Sequence, residues 1–233
     1  MAYETRFDGR RFDEIRPIQA KAGIIKRAVG SGWFKIGNTE AYAAVYGPRE
    51  MFPKFKQNPE TGVLRCNYNM MPFSSAGERV RPGPSRRSKE IGMVTERALR
   101  PVLDLSEFPN AVVDVYIELP QTDAGTRCAG ICAASIALAD AGIPMKDMVC
   151  AISAGKVEDK ILVDLNYEED SHEQGVDIPV AVLHNSKQIA LLQMDGEISP
   201  EDLRRAIELA KNASDQIYEA QKAALKDKFL LKE

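Results

Sequence analysis

The sequence predicts an α+β fold, a mixed α/β arrangement in which strands and helices intermix without the strict alternation of a doubly wound sheet. Three observations carry that expectation. Short β-branched and aromatic runs broken by glycine turns occupy residues 18–71. Two later segments, 88–103 and 126–141, have helical character, the first amphipathic and the second built of small and apolar residues. A long amphipathic segment with a charged outer face follows at 199–226. With 233 residues and 44% hydrophobic content the chain can bury one large core. We read 1–233 as a single domain of two intimately packed halves that meet near 106–110.

Taken in order, the β-branched and aromatic runs place strands at 18–26, 31–37, 39–46 and 63–71, with the charged loop PKFKQNPETG at 53–62 between the last two. PGP at 82–84 breaks an extended loop ahead of a helix. From Ser88 to Leu103 the residues Ile91, Val94, Ala98, Leu99 and Val102 recur at helical spacing. Projected at about 100° per residue, Arg86, Lys89, Arg97 and Arg100 share one face. Arg87 projects near the apolar meridian, so it is either turned inward against an anion or precedes the helix as a loop ligand. VVDVYIEL at 112–119 alternates as a strand does. The run Thr126 to Ala141 is a helix that stops at Gly142 and Pro144. Strands at 147–155, 161–165, 178–184 and 188–194 precede SPED, which sets a Ser N-cap, Pro at the first helical position and acids in the first turn.

A net charge of −3 argues against a protein that coats nucleic acid indiscriminately, yet the charge is segregated. Residues 79–100 hold seven Arg or Lys against Glu90 and Glu96, and residues 156–177 hold eight carboxylates against Lys156 and Lys160. A basic segment can bind a polyanion; an acidic one can hold a divalent metal or supply a proton. Ordinary solvated surface produces the same pattern. No apolar run is long enough to span a bilayer, and MAYETRFDGRRFDEIRPI lacks the apolar core of a signal peptide, so residence in the cytoplasm is expected. Cys66, Cys128, Cys132 and Cys150 lack metal-ligand spacing and read as small core residues, and His172 and His184, twelve apart, do not make a zinc site.

The most informative stretch is QTDAGTRCAG at 121–130. It places Gly125, Thr126 and Arg127 at the start of a helix, whose unpaired N–H groups and partial positive charge suit an anion. Gly125 lets backbone approach a ligand, Thr126 can donate a hydrogen bond, and Arg127 can fork onto two phosphate oxygens. The alternative is a plain strand-to-helix turn in which Thr126 caps the helix and Arg127 makes a nearby salt bridge.

Six segments together resemble the RNase PH family of phosphate-dependent 3′→5′ exoribonucleases: DGRRFDEIRPI at 8–18, GNTEAYAAVYGPRE at 37–50, RRSKEIGMVTERALRPVLDL at 86–105, QTDAGTRCAG at 121–130, DLNYEEDS at 164–171 and VDIPVAV at 176–182. They run in family order over nearly the whole chain. Within the family, DAGTR followed by a helix ending ALADAGIPM, and the extended C-terminal helix, fit the catalytic RNase PH-type subunit of the archaeal exosome. The resemblance implies duplicated βαβ-type halves with mixed sheets packed on helices. It also implies a hetero-hexameric ring shared with an inactive paralogue, RNA-binding cap subunits, single-stranded RNA as substrate and inorganic phosphate as co-substrate. A stand-alone homohexamer that trims tRNA ends, a non-catalytic RNA-binding ring subunit, and an enzyme using phosphate on small molecules are the competing readings.

Carried over position by position, the family pattern puts the attacking phosphate on Thr126, Arg127, the N–H groups around Gly125, and Arg87. Arg97 and Arg100 match RNA-backbone contacts, or else make helix-surface salt bridges with Glu96 or other acids. Arg65 with Lys54 and Lys56 could line an RNA entrance, though a solvated loop would look the same; Tyr68 could stack on a base, although an aromatic in a strand is more often core. Asp177 matches the family's catalytic aspartate and Asp170 a second acid of the same site. Together they would protonate the leaving 3′-oxygen or bind Mg²⁺. The family pattern has one residue fewer between these two, so the partner of Asp177 could instead be Glu169 or Glu173. Asp164 reads as a turn residue, and His172 as an exposed loop residue or an assistant to the carboxylates.

Overall fold

The computed structural model describes residues 3–77 and 79–230. Among these residues nine strands form two sheets. β1 (Ile18–Ala22), β2 (Gly30–Ile36) and β3 (Thr39–Glu50) make an antiparallel meander. β4 (Val63–Met70) leads through α1 (Arg86–Leu99) to β5 (Ala111–Gln121), which lies parallel to β4 and antiparallel to β3. The first sheet therefore has the order β1-β2-β3-β5-β4. After α2 (Thr126–Asp140), the strands β6 (Val149–Val157), β7 (Lys160–Val163), β8 (Gly175–Leu183) and β9 (Ile189–Leu192) form an antiparallel sheet of order β7-β6-β8-β9. A short α3 (Tyr167–Asp170) joins β7 to β8, and α4 (Pro200–Phe229) packs on β6 and β1.

The α+β expectation holds, and the parallel βαβ unit lies in the first sheet alone. The halves do not meet near 106–110. That segment feeds β5 into the first sheet, so the change of sheet comes after α2, between residues 140 and 149. β1 stops at Ala22 because Gly23 turns the chain with φ +70°. The basic helix begins at Arg86, two residues before the expected start, because Ser85 caps it in a reciprocal box with Ser88. Ser199 caps α4 as expected, with Pro200 first in the helix.

α2 is buried on all sides except at Arg127 and Ala139, as a helix apolar all round its circumference must be. It lies between the sheets, against β2 and β3 on one side and β6 on the other. Gly30 and Gly32 permit the approach: a Cβ at either would sit 2.2 Å from the Ala141 nitrogen or 2.4 Å from the Ala133 oxygen. All four cysteines are free and buried, and burial pushes their thiols up, so they are core residues.

Candidate active site

A cleft of about 800 Å³ opens at the N-terminal end of α2. Its walls come from the turn 121–125, the first turns of α1 and α2, residues 73–76 with Val80, α3, and the neighbouring strands β6 and β8.

The turn before α2 is set by distant residues. The fully buried Thr39 accepts from the Asp123 N–H (2.9 Å) and donates to the Ala124 carbonyl (2.7 Å). Arg16 Nη1 donates to the Asp123 carbonyl at 2.5 Å. Ala124 (φ 53°) and Gly125 (φ 61°) are both left-handed, a conformation in which glycine carries little penalty. Gly125 is the N-cap, and no side chain caps the helix. Thr126 therefore does not cap α2, and among the described residues Arg127 makes no ion pair; its guanidinium donates to Gln193. Gly125, Thr126 and Arg127 line the cleft, with helix-start N–H groups free of any side-chain cap. The plain-turn alternative fails on both of its terms.

Arg87 reaches the same cleft from the first turn of α1. It is exposed rather than turned inward, and among the described residues no carboxylate lies within ion-pair distance. A free guanidinium facing a free helix start is a ready dianion site.

Asp170 and Asp177 line the same cleft. Burial pushes Asp177 up to about 6, helped by the nearby Asp170 and Asp195 carboxylates and opposed by a hydrogen bond from Ser153 and by Arg127. Asp170 is also raised, by desolvation, with Arg87 and Arg127 pulling the other way. Asp195 is held beside Asp177 by reciprocal backbone hydrogen bonds of 3.1 and 2.9 Å. Between Asp170 and Asp177 the 171–174 turn, closed by a hydrogen bond from the Gly175 N–H to the His172 carbonyl, leads the chain into β8, and both aspartates line the cleft.

Glu169 and Glu173 are not the partner of Asp177. Glu169 is fully buried, gripped through both oxygens by Arg6 (2.8 and 2.7 Å) and by the Tyr3 hydroxyl (2.7 Å). Glu173 is exposed and outside the cleft lining. Asp164, left-handed and 2% exposed, is the expected structural residue, paired with Arg16 and Arg10. The N-terminal arginines thus clamp the back of the acidic arm. His172 packs near the Tyr3 and Phe7 rings, away from the cleft lining, and His184 stacks on Tyr218.

The expected RNA contacts fare less uniformly. Arg97 on α1 and Arg100 just past its end are exposed but outside the cleft, about 15–20 Å along the helix direction from Arg87. Arg65 shares the fully buried Asp114 with Arg49 and is also outside it. Tyr68 is 4% exposed and cannot offer a face to a base. The aromatics that can are Phe73 (73% exposed) and Tyr167 (53%), both on the cleft rim.

The same layout matches known proteins. The 3′ exoribonuclease family, RNase PH type, matches by its domain 1 over residues 14–144 and by its domain 2 over 147–213. The chain belongs to the RNase PH family. Its change of domain falls where the structure changes sheet. Among curated relatives, the exosome complex component Rrp41 of Methanopyrus kandleri is 48% identical over 224 residues, covering 96% of this chain and 93% of that protein. That of Pyrococcus furiosus is 51% identical over 225 residues, covering 97% and 89%. Among solved structures, rice Rrp46 superposes with a TM-score of 0.84 at 27% identity, covering 95% of this chain and all of that one. A chain of the Archaeoglobus fulgidus exosome with RNA bound to the active site gives 0.79 at 25% identity, covering 93% and 92%.

Proposed function

We infer that this chain is the phosphorolytic 3′→5′ exoribonuclease subunit of an archaeal exosome, with orthophosphate held at the start of α2 and Asp177 as the proton donor. One observation carries the reading: an uncapped helix N-terminus with Arg127 and Arg87 faces a carboxyl pushed up to about 6 across a single cleft. Resemblance to Rrp41 over almost the whole chain favours it over a tRNA-trimming homohexamer, and the joint presence of Arg87, Arg127 and Asp177 disfavours a non-catalytic subunit.

Two anions, the nucleophile and the terminal phosphodiester, must be brought together, and fixed cations and N–H donors offset their repulsion. Arg127, Thr126 and the α2 N–H groups orient orthophosphate, and Arg87 spans toward the RNA phosphate. A phosphate oxygen forms the new bond to the terminal phosphorus, the bond to the 3′-oxygen of the preceding ribose breaks, and Asp177 gives that oxygen its proton. The product is a nucleoside diphosphate. Phe73 and Tyr167 give terminal bases a π-face, which tolerates any sequence.

Among the described residues no group of three or more His, Cys, Asp or Glu is placed to hold a metal. Asp170 and Asp177 nevertheless fit Mg²⁺, which is commonly bound by one or two carboxylates and keeps its waters. When bound it would supply Lewis-acid stabilisation at the leaving oxygen. The ring with an inactive paralogue, the RNA-binding cap and a cytoplasmic location belong to the same reading; no helix among the described residues is long and apolar enough to cross a membrane.

Single-stranded RNA incubated with this chain, alone and with its ring partner, with and without phosphate, tests the reading. Nucleoside diphosphates released only with phosphate are expected. Monophosphates in phosphate-free buffer would overturn it.

A further inference from the structure

Tyr68 is not a stacking platform, and its burial raises a different question. Its ring lies on α2 at Gly130, 3.5 Å from where a Cβ at that position would sit. Thr126 is one helical turn toward the N-terminus on the same face. The Tyr68 hydroxyl is close enough to the Thr126 hydroxyl for the two to interact, yet they are not in hydrogen-bond geometry, and among the described residues no other group partners it. A buried polar atom without a partner is uncommon in native proteins and calls for a functional account. Thr126 in turn lines the cleft and has one O–H to donate.

We propose, on the reading of this helix start as the phosphate seat, that Tyr68 is a positioning residue for the nucleophile: its phenol donates to Thr126 Oγ1 and so aims the threonine O–H at bound orthophosphate. No covalent bond changes. Filling the seat completes a chain from Tyr68 through Thr126 to phosphate, in which each hydroxyl both has a partner and polarises the next. A phenol holds its proton at neutral pH in any case, and burial pushes this one up further, to about 12, against the pull of Thr126, Arg87 and Arg127.

Steady-state phosphorolysis by the assembled ring, with phosphate varied at saturating RNA, tests this using Tyr68→Phe, Thr126→Val and the double variant. Loss of one neutral hydrogen bond predicts that Tyr68→Phe raises the KM for phosphate about three- to tenfold. RNA affinity measured without phosphate stays at the wild-type value. Thr126→Val raises the KM further, and adding Tyr68→Phe to it changes the KM less than twofold, since the relay is already cut. Three results would overturn the relay: an unchanged phosphate KM in Tyr68→Phe, equal losses of RNA and phosphate affinity, or fully multiplicative effects in the double variant. Arg127→Ala separates this from the parent reading. If Arg127→Ala raises the phosphate KM and Tyr68→Phe does not, the relay alone fails; if neither does, the seat and the relay fail together.

Discussion

Replacing Asp177 by Asn should abolish turnover and at the same time make the protein harder to unfold at alkaline pH. A carboxyl whose pKa rises from 3.8 to about 6 has its charged form disfavoured by about 3 kcal/mol in the folded state. The native state holds this proton more tightly than the unfolded chain does. Wild-type stability therefore falls as pH rises from about 4 to about 6, and the loss persists above that window. Asn carries no charge and still presents an oxygen to the Ser153 hydroxyl. The full 3 kcal/mol would raise Tm by about 6–12 °C for a chain of this size. Burying the new amide offsets part of that, so we expect about 3–6 °C at pH 8 and little or no gain near pH 4. Circular-dichroism melts of both proteins across that range read the effect, and phosphate-dependent diphosphate release reads the rate, expected to drop about 10²–10⁴-fold. A variant that melts at or below wild type at pH 8, with an unchanged pH profile, would show that the Asp177 charge is not strained. Retained turnover would remove Asp177 from the chemistry.

Other outcomes follow from the same geometry. Arg127→Ala should raise the KM for phosphate about 10- to 150-fold through loss of charge-assisted hydrogen bonds, with RNA affinity in phosphate-free buffer little changed, as titrations will show. Arg6→Ala leaves the fully buried Glu169 without its bidentate partner and should destabilise by about 3–5 kcal/mol, read by urea melts. Arg97→Ala with Arg100→Ala should leave single-turnover chemistry on a short RNA intact. On longer RNA the double variant should lower the slope of log affinity against log salt by about 1.4, and an unchanged slope would remove both from the RNA path.

The uncapped helix start was legible because its parts are contiguous: Gly125, Thr126 and Arg127 announce it by local rules. Asp177 and Asp170 became legible only through the family pattern, since nothing in spacing alone brings the start of β8 opposite the start of α2. Thr39, Arg16, Ser153 and Asp195, which set the turn and tune the acid, arrive from strands and loops far along the chain, and long-range pairing leaves no periodic trace. Tyr68 could be read two ways, as a stacking platform or as core, because an aromatic in a strand looks the same whether it faces solvent or α2; its burial decides for core. The division near 106–110 misled because a loop before a strand resembles a boundary, and only pairing with β3 and β4 assigns β5 to the first sheet. Glu169 was indistinguishable from Asp170 in YEED until the reach of Arg6 separated them.

The contact between α2 and β2 at Gly30 and Gly32 has a bearing on rate. On the phosphate-seat reading the attacking ion rests on α2 and the proton donor on β8, so the depth at which α2 is seated sets the distance between them. At the two glycines, main-chain atoms of β2 meet main-chain atoms of the helix, and nothing soft is there to absorb a shift. A methyl group added at residue 32 would push α2 off the first sheet, displace the seat relative to Asp177 and slow the reaction, although no reacting side chain has been replaced.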